Sequence, residues 1–194
     1  MTRKKWLVIL VAALGALLLV GAALAVPVVV DRWRDLTTPT LDDVRVYEDL
    51  RTDHIDDDEA VDYGPEPPPG GPHGNVWLAC GVYDEPVRDE NAVHALEHGT
   101  VWLTYDPDEL STDDVSELAD RLPDEGILSP YPGQDARVMV TVWGRQLELR
   151  NAGDDRLELF LEAYGDGHTA PEPMASCEGG ERILDDGEDA GMSV

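Results

Sequence analysis

No regular helix and no central strand can run through Tyr63-Gly64-Pro65-Glu66-Pro67-Pro68-Pro69-Gly70-Gly71-Pro72-His73-Gly74. Its prolines remove backbone donors and fix φ, so the chain crosses this stretch as irregular backbone. The composition reads as a surface loop. A rigid segment ending in His73 can also act as a clamp across a site.

The stretch that follows supplies the groups such a clamp would close on. Val93-His94-Ala95-Leu96-Glu97-His98-Gly99 reads as a short helix stopped by glycine, and Thr100-Val101-Trp102-Leu103-Thr104-Tyr105 as a central strand. At about 100° per residue, His94, Glu97 and His98 share one arc, and Ala92, Ala95 and Leu96 the opposite one. One face can pack on a sheet while the other presents two imidazoles one turn apart, with a carboxylate between them. That spacing suits metal ligation or acid–base chemistry.

Around these stretches the periodicity predicts a mixed domain. Val44–Leu50 is a short strand-like element, Thr52–Glu59 is too acidic to bury, and His54 within it reads as a solvated histidine. Asn75–Tyr83 alternates as a strand, with Val76, Leu78 and Cys80 on one face. Ser111 or Thr112 caps a helix through about Leu122, and Gly126–Tyr131 returns to the sheet. Ala136–Trp143 and Gln146–Arg150 form a hairpin about Gly144, and Asp154–Tyr164 is a last helix. Helices and strands mix without strict alternation. The expected class is α+β: one small domain with a sheet and three helices, preceded by a single transmembrane helix.

That anchor is Trp6–Val30, an apolar run without charge and longer than the roughly 20 residues a bilayer requires. Arg3, Lys4 and Lys5 before it favour a cytoplasmic N-terminus. The alternative is a signal peptide cleaved after Ala23-Leu24-Ala25. The expected division is a cytoplasmic tail (1–5), anchor (6–30), acidic juxtamembrane segment (31–60), extracytoplasmic domain (61–178) and acidic disordered tail (179–194). This makes the chain a single-pass protein of the cell membrane with its C-terminal domain outside. Acidic residues outnumber basic ones 41 to 14, for a net charge of −27, which repels nucleic acid and anionic lipid. No phosphate-binding glycine loop follows a strand, so nucleotide binding has no support. Outside the cytoplasm the two cysteines, Cys80 and Cys177, are expected to pair. The alternative is a copper-type soft site of His168, Met174 and Cys177.

Several motifs together resemble one family. Pro67-Pro68-x-Gly70-Gly71-Pro72-His73 is close to a Pro-Pro-x-Ser-Gly-x-His loop. Gly81-Val82-Tyr83, His94-Ala95-Leu96-Glu97-His98-Gly99, Val142-Trp143-Gly144 and Ala170-Pro171-Glu172 follow in order. From about Val61 to Glu172 the chain resembles the bacterial family called domain of unknown function 3105, usually a membrane-anchored domain. The departure is Gly70, where the resemblance implies serine. It directs attention to His73, His94, Glu97 and His98, and implies no activity.

Three functions fit these residues. In the first, His73, His94 and His98 bind a divalent metal, zinc or copper, in an accessory or sensor domain whose protein partner the sequence does not specify. In the second, His94-x-x-Glu97-His98 matches an inverted zinc-peptidase motif and Glu97 is the catalytic base of a metal-dependent hydrolase. That chemistry needs a further downstream carboxylate, with Glu148, Glu158 and Glu162 as candidates. In the third, the histidines hydrogen-bond backbone and hold the proline loop in a metal-free interaction module.

Overall fold

The computed structural model describes residues 38–56, 59–173, 177 and 179–185, together with Trp6, Gly21, Ala23 and Val26. The expected cytoplasmic tail and membrane anchor otherwise lie outside the described residues. Among the described residues no helix is long and apolar enough to cross a membrane. The chain divides into two units, Met1–Pro39 and Thr40–Val194, and the sheet with its helices belongs to the second.

The elements are β1 (Arg45–Val46), β2 (Gly81–Val82), α1 (Asp89–Glu97), β3 (Val101–Tyr105), α2 (Thr112–Asp120), β4 (Gly126–Pro130), β5 (Val138–Val142), β6 (Arg145–Leu149) and α3 (Arg156–Tyr164). They build a six-stranded mixed sheet in the order β1-β6-β5-β3-β4-β2. β2, β4 and β3 run parallel, and β3, β5, β6 and β1 pair antiparallel. Parallel strands need a crossover: α2 supplies it between the neighbours β3 and β4, and α1 carries the chain from the edge strand β2 to β3, leaving between them the place that β4 fills. The β5–β6 pair needs only a tight turn, and Gly144 takes the positive φ (71°) that such turns favour.

Alternation along β3 divides the core. Val101, Leu103 and Tyr105 join Leu128, Val138, Val140, Leu118 of α2, and Leu157 and Phe160 of α3 on one face. Trp102 points to the other face, with Ile127, Trp143 and Ala92, Val93, Ala95 and Leu96 of α1. Burying a side chain of this size is worth about 1.5–3 kcal/mol, so these two clusters dominate the stability of the fold. Ser111 caps α2 in a reciprocal box with Asp114, which satisfies two otherwise orphaned donors.

The α1 face of the sheet is partly polar, and this determines what covers it. Thr104, Ser129, Thr141 and Gln146 are buried there. The Trp102 Nε1–H donates to Ser129 Oγ (3.0 Å), and Gln146 Nε2–H donates to Thr141 Oγ1 (3.1 Å) and to the Pro67 carbonyl (2.7 Å). The Gly144 N–H donates to the Pro69 carbonyl at 2.8 Å. Buried polar groups are costly unless paired, and the proline stretch supplies carbonyl acceptors for the Gln146 side chain and the Gly144 N–H. It is a buried clamp rather than the surface loop its composition suggested. Gly70 has φ 139°, and a Cβ there would stand 3.1 Å from the Trp143 ring and 2.9 Å from Leu50 Cδ1. Backbone conformation and space both explain glycine where the family resemblance implied serine.

Two further expectations change. The predicted strand Asn75–Tyr83 is regular only over Gly81–Val82. Upstream of it, backbone pairing goes to neighbours outside the sheet: Leu78 N–H to the Asn91 carbonyl (3.3 Å) and Ala79 N–H to the Glu181 carbonyl (3.0 Å). Residues 179–185, assigned to a disordered tail, return to the domain and bridge Leu78 with Glu181 and Val87 with Leu184. Residues 186–194 lie outside the described residues. Cys80 and Cys177 are disulfide-bonded, with Cα atoms 5.4 Å apart, which secures this return. The soft-metal alternative thereby loses its thiolate, and Met174 lies outside the described residues.

Candidate metal centre

Helix α1 ends where its polar arc meets the proline clamp. His94, Glu97 and His98 are 4%, 3% and 8% exposed, so the arc that sequence periodicity left facing outward is in fact covered. The covering backbone delivers His73. Its N–H donates to the Asp53 carbonyl (3.0 Å), and its own carbonyl accepts from Ile55 N–H (2.8 Å). These two bonds make an isolated parallel bridge that aligns His54 with His73. His54 is exposed, as its acidic neighbours led one to expect, yet this bridge also sets its ring against the cluster. Its ring centroid is 4.6 Å from that of His73 and 4.9 Å from that of His94.

Backbone carbonyls set the tautomers. His73 Nδ1 lies 2.8 Å from the Gly71 carbonyl oxygen, and His94 Nδ1 lies 2.8 Å from that of Gly74. A carbonyl can only accept, so each Nδ1 carries the proton, and in the neutral rings Nε2 holds the lone pair. An outer hydrogen bond of this type orients metal-ligating histidines. His73 Nε2 faces Glu97 Oε2 at 3.0 Å. Despite that distance the pair is not oriented as a hydrogen bond, and both buried atoms lack a hydrogen-bond partner among the described residues. A lone pair and a carboxylate oxygen held together in a dry environment repel one another, and a cation between them removes the repulsion.

One ligand atom from each of His54, His73, His94 and Glu97 lies within 4.8 Å of all the others. Ligands about 2 Å from a tetrahedral zinc stand roughly 3.3 Å apart, so small side-chain rotations would close this set on an ion. Burial, aided by the neighbouring His73 and His98 imidazoles, pushes the His94 pKa down to about 4, keeping the ring neutral and its lone pair available.

His98, grouped with His73 and His94 by sequence, lies with its ring centroid 4.7 Å from that of His94. Its ring nitrogen, however, gathers with the carboxylates of Glu97 and Glu172. The downstream carboxylate at the cluster is Glu172, which sequence reasoning missed. Of the three considered, Glu158 pairs with Arg121 (2.6 Å) and Glu148 with Arg45. The motif Ala170-Pro171-Glu172 carried a signal for Glu172, and no local pattern marked His54. Trp77 covers the outer side, its ring 5.4 Å from His94 and 4.9 Å from His98.

Three surface clefts, of about 610, 490 and 490 Å³, are lined by residues other than this cluster. No curated protein and no solved structure matches the chain. Residues 54–179, from the first histidine of the cluster to beyond Glu172, match the family model described as protein of unknown function (DUF3105), and the chain belongs to that family.

Proposed function

We propose that this chain binds a divalent metal ion, zinc in the first instance, through His54, His73, His94 and Glu97, and acts as an accessory or sensor domain. The observation that carries the reading is the buried contact of His73 Nε2 with Glu97 Oε2, 3.0 Å apart and without hydrogen-bond partners among the described residues. Three imidazoles and one carboxylate suit zinc, and imidazole also suits copper, so both belong in the test. Glu97 is here a ligand rather than a catalytic base. A catalytic base must reach substrate, and Glu97 is only 3% exposed.

The metal-free chain, purified at full length in detergent, should take up zinc in a calorimetric titration. His73→Ala and His94→Ala should each weaken uptake by at least about 100-fold, because a tetrahedral site loses one of four ligands. Uptake unchanged in both variants would rule out this site.

The same reading places the domain outside the cytoplasm on an anchor formed by residues 6–30. Support comes from the charge-free apolar run after Arg3, Lys4 and Lys5 and from the Cys80–Cys177 bond, which belongs to an oxidising compartment. The chain should therefore remain in the membrane fraction through alkaline extraction. A soluble form beginning at Val26 would instead identify a cleaved signal peptide.

A further inference from the structure

Glu97 belongs to two donor groups, and the second remains unassigned in the function proposed above. It comprises Glu97, His98 and Glu172, with one ligand atom from each within 4.8 Å of the others. The fold assembles it at the C-terminal end of α1. Gly99 takes φ 92°, and a Cβ on it would stand 3.1 Å from the Cα of Gly167, so two glycines let the 167–172 segment approach the helix end. The Ala170 N–H then donates to the Gly167 carbonyl (2.9 Å), and the Glu172 N–H donates to the Glu97 carbonyl (3.1 Å). This places the Glu172 side chain beside His98.

The electrostatics of this arrangement call for a cation. The C-terminal end of a helix carries partial negative charge, and carboxylates there are unfavourable unless neutralised. Here Glu97 and Glu172 both gather at that end. His98 is 92% buried (8% exposed), yet its Nδ1 has no hydrogen-bond partner among the described residues. Its Nε2 lies 3.8 Å from Glu172 Oε2, beyond hydrogen-bonding distance. A buried imidazole with one unpartnered nitrogen, gathered within 4.8 Å of two carboxylates, is a donor set in search of an ion.

We infer that a second divalent cation binds at Glu97, His98 and Glu172, with Glu97 bridging it to the ion held by His54, His73 and His94. This rests on the metal-binding reading above and extends it to a two-ion centre. Paired ions in such centres sit about 3.5–4 Å apart, a separation that one carboxylate spans with its two oxygens. The two positions differ in character. The first is rich in nitrogen and largely buried. The second is rich in oxygen and reaches solvent through Glu172, whose side chain is 61% exposed. Oxygen ligands suit manganese as well as zinc, and solvent access makes this the weaker, exchangeable position.

Titration of the metal-free, full-length chain with zinc, with bound metal counted by mass spectrometry, should give two ions per chain, one tighter than the other. Glu172→Gln should remove the weaker event and leave the tighter one within about threefold, because the exposed Glu172 side chain belongs to the second position alone. His98→Gln should also remove the weaker event, and it shifts the tighter one further because its ring lies 4.7 Å from that of His94. His73→Ala should remove the tighter event. Filling both positions with manganese should produce a spin-coupled electron paramagnetic resonance spectrum, which His98→Gln converts to that of an isolated ion. One ion in the wild type, insensitive to His98→Gln and Glu172→Gln, would overturn the second position and leave the first standing. No ion at all would overturn the metal-binding reading itself. Two ions without spin coupling would overturn the bridging role of Glu97. Because Glu172 is largely exposed, the Glu172→Gln variant tests the site without disturbing the core.

Discussion

Breaking the Cys80–Cys177 bond should lower the midpoint of thermal unfolding by about 8–20 °C. The bond joins positions 97 residues apart, and closing a loop of that length restricts the unfolded chain by about 4–5 kcal/mol in the chain-entropy account. For a chain of this size each kcal/mol moves the midpoint by about 2–4 °C. Native contacts point the same way. The bond holds the 179–185 segment against the edge strand β2, where Arg182 donates to the Val82 carbonyl (3.0 Å) and its guanidinium lies 4.0 Å above the Tyr83 ring. Glu125 Oε2 accepts the Cys177 N–H at 3.1 Å and stands 3.0 Å from Cys177 Sγ. Its negative charge repels an attacking thiolate, so reduction should be slow as well as destabilising. Calorimetry of the wild type with and without reductant, alongside the Cys80→Ser/Cys177→Ser double variant, checks the effect. A fall below about 2 °C in the double variant would mean that the returning tail holds without the bond.

That returning segment also shows where sequence reasoning reached its limit. Elements defined by local chemistry were legible. The helix Asp89–Glu97 followed from its apolar arc and Gly99, α2 from its Ser111 cap, and the β5–β6 hairpin from alternation about Gly144. Features that depend on pairing between distant segments were not. Leu78 meets Glu181 and His54 meets His73 through backbone bonds that carry no side-chain period. The acidic neighbours of His54 and Glu181 argued for solvent, and both residues are indeed exposed; what those neighbours could not show is that their backbones pair with His73 and Leu78. His73, His94 and Glu97 were legible as a group because helical spacing and a rigid histidine-ended loop are visible in one dimension. His54 and Glu172 complete the surroundings only after the sheet brings their segments to the same helix end. The polar patch of Thr104, Thr141 and Gln146 was equally hidden. Alternation predicts which side chains share a face, not what covers that face, and the covering element proved to be the proline clamp.

Acid should act on the site twice, once through the apo fold and once through the metal. In the apo protein, burial first and then the neighbouring imidazoles hold the His94 pKa at about 4, below its ordinary value of 6.5. Above pH 6.5 the ring is neutral in both folded and unfolded chains, and the fold keeps its full stability. As pH falls from 6.5 towards 4 the unfolded chain binds a proton that the folded chain does not, at a cost of about 3 kcal/mol by the lower limit. Asp89 opposes this. Burial, reinforced by Glu90 and Asp185, raises its carboxyl to about 7, against the hydrogen bond donated by Tyr131. A raised carboxyl stabilises the fold below its unfolded value of 3.8 and loses that contribution as pH rises through 7, by about 4 kcal/mol. Over pH 4–6.5 the two nearly cancel. Asp89→Asn removes the opposing contribution, so its stability measured by urea unfolding should climb with pH by about 3 kcal/mol more than that of the wild type. Zinc adds a steeper dependence, because protons and metal compete for the same ring nitrogens. At 100 times its dissociation constant zinc should add about 2.7 kcal/mol at pH 7.5, or roughly 5–10 °C in the midpoint, and this shift should vanish below about pH 4, where His94 itself takes up a proton. A zinc-induced shift of equal size at pH 7.5 and below about pH 4 would mean that the ion is held by groups other than these histidines.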